Sequence, residues 1–521
     1  MQDETLSDHK LISWEIINIT KKLVKEKPTE RDNNWNLKRF NEEHFIEHIK
    51  TWKYNGLHTC DIHEISKWIK KACEKIMGRK KKSKVKRQVY WWSEEIKKVR
   101  ETCIKKRRVA QRLNKHKIRN EAEAAQASDE YKACKKELKL MILRAKAQKW
   151  KEVCQAVEDD VWGLGYKIVR KKLGIPLPIV SDEEKQVVIE NLFPRREYRN
   201  REFKTPEIIE KVTREEVQEA GKKLRNKKAP GPDGVPPEAI KAVVKEVPEL
   251  LASSFTALLE KGQFPGALKQ ARLVLIPKPK KNPEDKNTYR PLCLLNSISK
   301  LFEHIIKARI LRTLIGPKKI AISQYGFCKG KSAAQAIRKV VNMATEEMRK
   351  TIKKRNLCAL ITVDIKNAFN TVDWKCIIEE LKTRKLSQEI ISIVNSYLHE
   401  RTFLDDDKKV YSMECGVPQG SVLGPLLWNL LYDGLLKMPV SEGVHLIAYA
   451  DDLAVIIKAK TSEEIMYKGN RVIQKIITWL EGKHLEIAEQ KTECSMLVGR
   501  KKHGKVTFQV KNLEIFPKND I

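Results

Sequence analysis

Two short apolar runs, Leu446 to Ala450 and Leu453 to Ile457, flank the pair Asp451-Asp452. The pattern predicts a hairpin of two buried strands with both carboxylates at its tip. Leu357 to Val363 is a third run and ends on Asp364; Arg272 to Ile276 is a fourth, rich in branched residues and followed by Pro277 and Lys278. Elsewhere the apolar positions recur at helical spacing. Phe40, Phe45, Ile49 and Trp52 predict helices between Trp35 and Cys73. Ser93 is expected to cap a long charged helical tract that reaches about Val157. Thr213 to Glu216 has the T-x-x-E capping pattern and opens a helix running to Leu224. Gly330-Lys331-Ser332 leads into another helix, and Ala368, Phe369 and Trp374 fall on the helix after Asp364. Lys10 to Ile16 is strand-like and Glu190 to Pro206 reads as a linker. Lys227 to Pro236 is dense in Pro and Gly and predicts a rigid loop, whose flanking lysines suit phosphate.

Adjacent carboxylates repel each other and resist burial unless a cation lies between them and a partner. An acidic, solvated turn between two core strands is the blander reading of Asp451-Asp452. Asp364 weighs against it, because a carboxylate at the end of a buried strand is a usual place for a metal ligand, and it makes the acids three. Lys278 and Arg290 stand near strand ends beside a loop, where basic side chains suit a triphosphate better than a core.

The chain has 521 residues, 41% of them hydrophobic, enough for several domains with sizeable cores. Its formal net charge of +36 points to a polyanionic partner, nucleic acid before an anionic membrane surface. Between 79 and 180 there are 30 Lys and Arg against 12 Asp and Glu, so a fifth of the length carries half of that net charge. This tract is either a solvated face or a nucleic-acid contact, and its leading cluster, Arg79 to Arg87, also suits a nuclear import signal. No apolar run approaches the ~20 residues of a membrane span, and the acidic N-terminus is unlike a secretory signal. An intracellular protein without membrane contact is expected. The 11 cysteines include no C-x-x-C pair, which argues for scattered thiols in a reducing compartment.

Six segments occur in an order that resembles the reverse transcriptases of LINE-type (non-LTR) retrotransposons. They are Pro230-Gly231-Pro232-Asp233-Gly234; Arg290-Pro291 with Leu294-Leu295; Gln324-Tyr325-Gly326-Phe327; Asp364 to Phe369; Gly416 to Pro425; and Tyr449-Ala450-Asp451-Asp452. Gly482 to Gly499, containing Lys491, resembles the family's next palm motif. Asn370 stands where the family often has Asp, and Leu268-Lys269 where Trp-Lys is common. The resemblance implies an α+β right-hand polymerase at 205–515, with fingers and an antiparallel palm sheet carrying helices, and with the thumb largely missing. A mostly helical basic region at 21–204 would precede it. Residues 1–20 resemble the end of an apurinic-type endonuclease, in which His9 would meet the scissile phosphate and Asp8 would orient it; no nicking is expected from so small a remnant.

The same resemblance implies two-metal nucleotidyl transfer, with Asp364, Asp451 and Asp452 as ligands of two Mg²⁺ ions, Mn²⁺ being the alternative ion. Lys491 becomes the candidate general acid, and Gln419, Gly420 and Tyr449 join the template and nucleotide pocket, with Lys278 and Arg290 on the triphosphate. Phe369 resembles the aromatic that excludes a ribose 2′-hydroxyl. Implied partners are an RNA template, a DNA primer at the target and deoxynucleoside triphosphates. The site of action would be the nucleus, with assembly on RNA in the cytoplasm. Two other readings share these acids: a viral-type RNA-dependent RNA polymerase, disfavoured by Ala450 and Phe369, and a non-catalytic nucleic-acid-binding relic, disfavoured by the intact acids.

Overall fold

A computed structural model describes residues 40–54, 61–77, 92–115, 121–159, 182–196, 209–277, 289–316, 319–405, 409–499 and 506–517. Asp8, His9, the strand-like stretch at 10–16, the cluster at 79–87 and Lys278 lie outside them.

The chain opens with α1 (Glu42–Tyr54) and α2 (Ile62–Met77). Phe45 and Ile49 of the expected stripe are buried, and Ile62, Ile65, Ile69 and Cys73 form the matching stripe on α2. Helices α3 (Glu94–Lys115) and α4 (Glu121–Asp159) follow. They replace the single tract expected from sequence: two antiparallel helices pack on one another, joined by a Lys106–Glu130 ion pair and by Cys103 against Cys134, with Ile96, Ala110 and Ala124 also buried. Ser93 caps α3 as expected, its Oγ accepting from the Ile96 amide at 3.3 Å. The stretch from 190, read as a linker, begins instead inside α5 (Asp182–Leu192). Val188, Ile189 and Leu192 face the core, and the Phe193 ring lies 4.8 Å from that of Phe403.

Helices α6 (Arg214–Lys223), α7 (Pro237–Glu246) and α8 (Pro248–Lys261) form the next layer. Thr213 and Glu216 close the capping box of α6 reciprocally. A single turn, α9 (Gly266–Lys269), leads into β1 (Ala271–Pro277) and β2 (Tyr289–Leu295), then α10 (Ser297–Thr313). Rings of Phe255 and Phe264 stack on Phe302 at 4.7 and 5.3 Å, tying these helices together. Both α1 and α2 pack on α7, so the N-terminal helices share this core.

After α11 (Ala333–Met348) come β3 (Leu357–Val363), α12 (Ala368–Thr371), α13 (Trp374–Thr383), α14 (Gln388–Leu398), β4 (Arg401–Leu404) and β5 (Val410–Met413). The last part holds α15 (Gly424–Leu436), β6 (Val444–Tyr449), β7 (Asp452–Ala459), α16 (Ser462–Glu481), β8 (Glu493–Val498) and the small ribbon β9 (Phe508–Val510) with β10 (Leu513–Ile515). The helix expected to carry both Phe369 and Trp374 is thus two pieces, α12 and α13.

One four-stranded sheet has the order β2-β1-β4-β5. Pro291 is tolerated in β2 because that strand is an edge and needs no amide on its outer side. The other sheet, β6-β7-β3-β8, is antiparallel throughout. Its strands read as continuous apolar runs because both faces are covered. Cys358, Ile447 and Ile456 face Ala336 and Met343 of α11. Ala359, Ile361, Val455 and Ile457 belong to the main core, against which α16 packs. The fold is α+β, as the sequence implies.

Candidate active site

Strand β3 is the third of its sheet, and its register with β7 pairs Val363 with Leu453. The ends of β3 and of the β6–β7 hairpin therefore lie side by side, bringing Asp364, Asp451 and Asp452 to one rim. Residues 486–492 run back along the same rim: Lys366 N–H donates to Glu486 O and Ala488 N–H to Asp364 O, both at 2.8 Å. That pairing puts Lys491 Nζ 2.5 Å from Asp364 Oδ2. All four residues line one cavity of about 710 Å³, together with Arg290, Phe369, Gln419 and Gly420. Tyr449 is exposed and pairs with Asp452 across the hairpin, outside the set that lines the cavity.

The acids are held against their own repulsion. Burial pushes the Asp451 carboxyl up to about 6, and the Asp452 and Asp364 charges add to it while Lys491 opposes. Asp452 is raised too, by burial first and then by Asp364. Among the described residues no three His, Cys, Asp or Glu side chains stand close enough to enclose an ion, and one Asp364 oxygen is engaged by Lys491. The donor set still fits a divalent cation. Three carboxylates supply hard oxygen ligands around a shared cavity, and one ammonium does not balance their charge.

Opposite the acids, residues 416–423 form a loop fixed from three sides. Gly416 N–H donates to Val372 O and Val417 N–H to Phe369 O, both at 2.7 Å, which fastens the loop to α12. Cys293 N–H on β2 donates to Gln419 O at 2.7 Å, and a Cβ on Gly420, whose φ is +112°, would come within 2.6 Å of Cys293 O. From below, Glu303 of α10 accepts from Val422 N–H at 2.7 Å and Leu423 N–H at 3.0 Å, satisfying amides ahead of α15. Burial raises the Glu303 carboxyl, and the Leu423 amide opposes this most, followed by the Arg401 charge and the Val422 amide. The half-buried Phe369 ring stacks on Trp428 at 5.3 Å and meets Phe327 edge-on at 5.7 Å.

Two contributors escaped the sequence. Asn370 accepts from Gln419 Nε2 at 3.1 Å, so the residue that departs from the family pattern orients the pocket amide. Leu192 of α5 lines the cavity from a segment read as linker. The helical spacing of Val188, Ile189, Leu192 and Phe193 was the signal available for it.

Residues 276–514 match the family model described as reverse transcriptase (RNA-dependent DNA polymerase). The chain is 26% identical, over 438 residues, to the retrovirus-related Pol polyprotein from type-1 retrotransposable element R1 of Bradysia coprophila, which covers 78% of this chain and 42% of that protein. It is 32% identical, over 304 residues, to the RNA-directed DNA polymerase from mobile element jockey of Drosophila melanogaster, covering 57% of this chain and 33% of that protein. The chain thus spans less than half the length of either relative. Among solved structures, an apo telomerase from Candida tropicalis aligns with 54% of this chain and 67% of its own at 13% identity and a TM-score of 0.36. Three acids, a lysine and a clamped glycine loop around one cavity thus lie within the residues that match the reverse transcriptase model, in a chain similar to proteins of non-LTR retrotransposons.

Proposed function

We propose that this chain is the RNA-directed DNA polymerase of a non-LTR retrotransposon, copying the element's RNA from a primer 3′-end in target DNA. The observation that carries the reading is the convergence of Asp364, Asp451 and Asp452 with Lys491 in the cavity faced by Phe369, Gln419 and Gly420. Asp364, Asp451 and Asp452 would hold two Mg²⁺ ions. Bound there, these ions would acidify the primer 3′-hydroxyl and neutralise charge on the triphosphate and leaving pyrophosphate. Lys491, whose Nζ lies beside Asp364, would act as the general acid toward the leaving group. Arg290 at the cavity wall would neutralise the triphosphate, and Lys278, outside the described residues, is assigned the same role. Gln419 and Gly420 supply a fixed wall for template and nucleotide, and Tyr449 flanks the turn that carries the acids. Phe369 bars the ribose 2′-hydroxyl by occupying its space.

The region at 21–204 is read as a helical basic linker and N-terminal extension, residues 1–20 as the tail of an endonuclease with Asp8 and His9, and 205–515 as fingers and palm. Assembly in the cytoplasm and action in the nucleus complete the proposal. The test is primer extension on an RNA template with Mg²⁺. Asp451→Asn removes a ligand charge but leaves the basic surface intact, so extension is lost and RNA binding is retained. Extension above a few per cent of the parent rate would refute the assignment of the acids.

A further inference from the structure

The hairpin that carries Asp451 and Asp452 has an unfavourable backbone. Tyr449 pairs with Asp452, leaving Ala450 and Asp451 as a two-residue turn, and Ala450 sits at φ +60°. A turn with positive φ at its first central residue takes Gly, Asn or Asp there, and alanine in the left-handed region is strained. Such a residue persists only when its surroundings over-determine it.

Gln324 supplies that determination. Its side chain is 1% exposed, and it meets Ala450 from both sides: Oε1 accepts from Ala450 N–H at 3.0 Å, and Nε2 donates to Ala450 O at 3.1 Å. The same Oε1 accepts from Gly326 N–H at 2.8 Å. Trp428 Nε1 is a second donor to Ala450 O, at 3.2 Å. The backbone around Gln324 is bonded to β6, Ala448 N–H donating to Ser323 O and Tyr325 N–H to Ala448 O. One amide side chain thus imitates the partner strand that the turn lacks. The approach is close enough that a Cβ on Gly326 would lie 2.0 Å from Ala450 N.

We infer that Gln324 is a positioning residue: it holds the strained Ala450 turn and through it sets where Asp451 and Asp452 point. The inference rests on the polymerase reading for its effect on rate, and on geometry alone for its effect on the turn. Removing the amide lets the turn relax out of the left-handed region, and the two carboxylates move with it. Placement errors of about an ångström cost catalysis on the order of 100-fold.

The experiment uses the whole chain and two readouts. Amide hydrogen exchange at Ala450 reads the clamp without any activity. In Gln324→Ala, Ala450 exchanges at least about tenfold faster, while amides in the middle of β7 do not change; in Gln324→Glu, which keeps the acceptor of the Ala450 N–H, the exchange rises less. Gln324→Glu is the safeguard against misfolding, because it keeps the shape and the acceptor oxygen and sets a second acceptor, in place of the donor, against the Ala450 carbonyl. In primer extension, kcat falls about tenfold or more in both variants, while RNA binding and the KM for the deoxynucleotide change little. Ala450→Gly in the Gln324→Ala background removes the strain and recovers most of that loss. Unchanged Ala450 exchange in Gln324→Ala overturns the inference, whatever the activity. So does a well-folded Gln324→Ala whose lost rate Ala450→Gly leaves unrestored. Failure of the polymerase reading is recognised separately, as parent protein and Asp451→Asn being equally inactive while the exchange result stands.

Discussion

Phe369 separates steric selection from simple packing. Its ring touches Trp428 and Phe327 and borders the cavity, so it is half core and half pocket wall. Phe369→Val is expected to raise ribonucleotide use relative to deoxyribonucleotide use by about tenfold, ~1.4 kcal/mol of lost discrimination. The ratio of kcat/KM for dGTP and GTP opposite template cytosine measures it, and an unchanged ratio rejects the gate. At Gly326 a single methyl is expected to be ruinous. Gly326→Ala drives a Cβ into the Ala450 backbone, where no flexible side chain can yield, and should reduce extension on the order of 100-fold while RNA binding persists. The acids were legible at this scale because a charged pair between two apolar runs breaks a strong pattern. Gln324 was legible only as part of a motif. An uncharged amide has the same letter whether it faces water or clamps a turn, and the residue it clamps lies 126 positions away.

Elements with a single periodicity were read correctly, and elements whose bounds depend on distant partners were not. Strands β3, β6 and β7 announce themselves as apolar runs, and α6 by its capping box. The division of the helix after Asp364 into α12 and α13 follows instead from the loop at 416–423, which takes the carbonyls of Phe369 and Val372 as its acceptors. Helix α5 was hidden for a related reason, since the ring that Phe193 meets lies on β4, more than 200 residues on. The loop itself makes a prediction about α10. Glu303→Ala leaves the half-buried Val422 amide and the buried Leu423 amide without this acceptor, and should cost about 1–3 kcal/mol of stability. Glu303→Gln keeps a carbonyl oxygen for them and should cost less. Denaturant unfolding of both variants gives the comparison, and equal losses would remove the amides as the cause.

Over the whole molecule, charge and core are divided unevenly. Helix α3 carries nine Lys and Arg against three Asp and Glu, α4 is balanced at eight each, and the span 79–180 as a whole is strongly basic, so RNA binding by a fragment of that span should fall steeply between about 50 and 200 mM salt through counterion release. A flat response would make the tract a solvated face. Helices α1 and α2, by contrast, share the core of the polymerase layers through Phe45, Ile49, Ile65 and Ile69. A chain beginning at residue 205 should therefore melt more than about 5 °C below the parent, although it retains every site residue of the cavity except Leu192. The placement of β3 between β7 and β8 has a consequence for how the protein is made. Both neighbours are translated after it, β7 roughly 90 residues later, which is about 5–20 s at ordinary rates of synthesis. Until then Leu357–Val363 is an apolar segment without the two strands that pair with it. The basic span 79–180 leaves the ribosome long before the catalytic rim closes. On the proposed reading, a prematurely terminated product would grip its RNA without being able to copy it, and would compete with the finished enzyme for the same template.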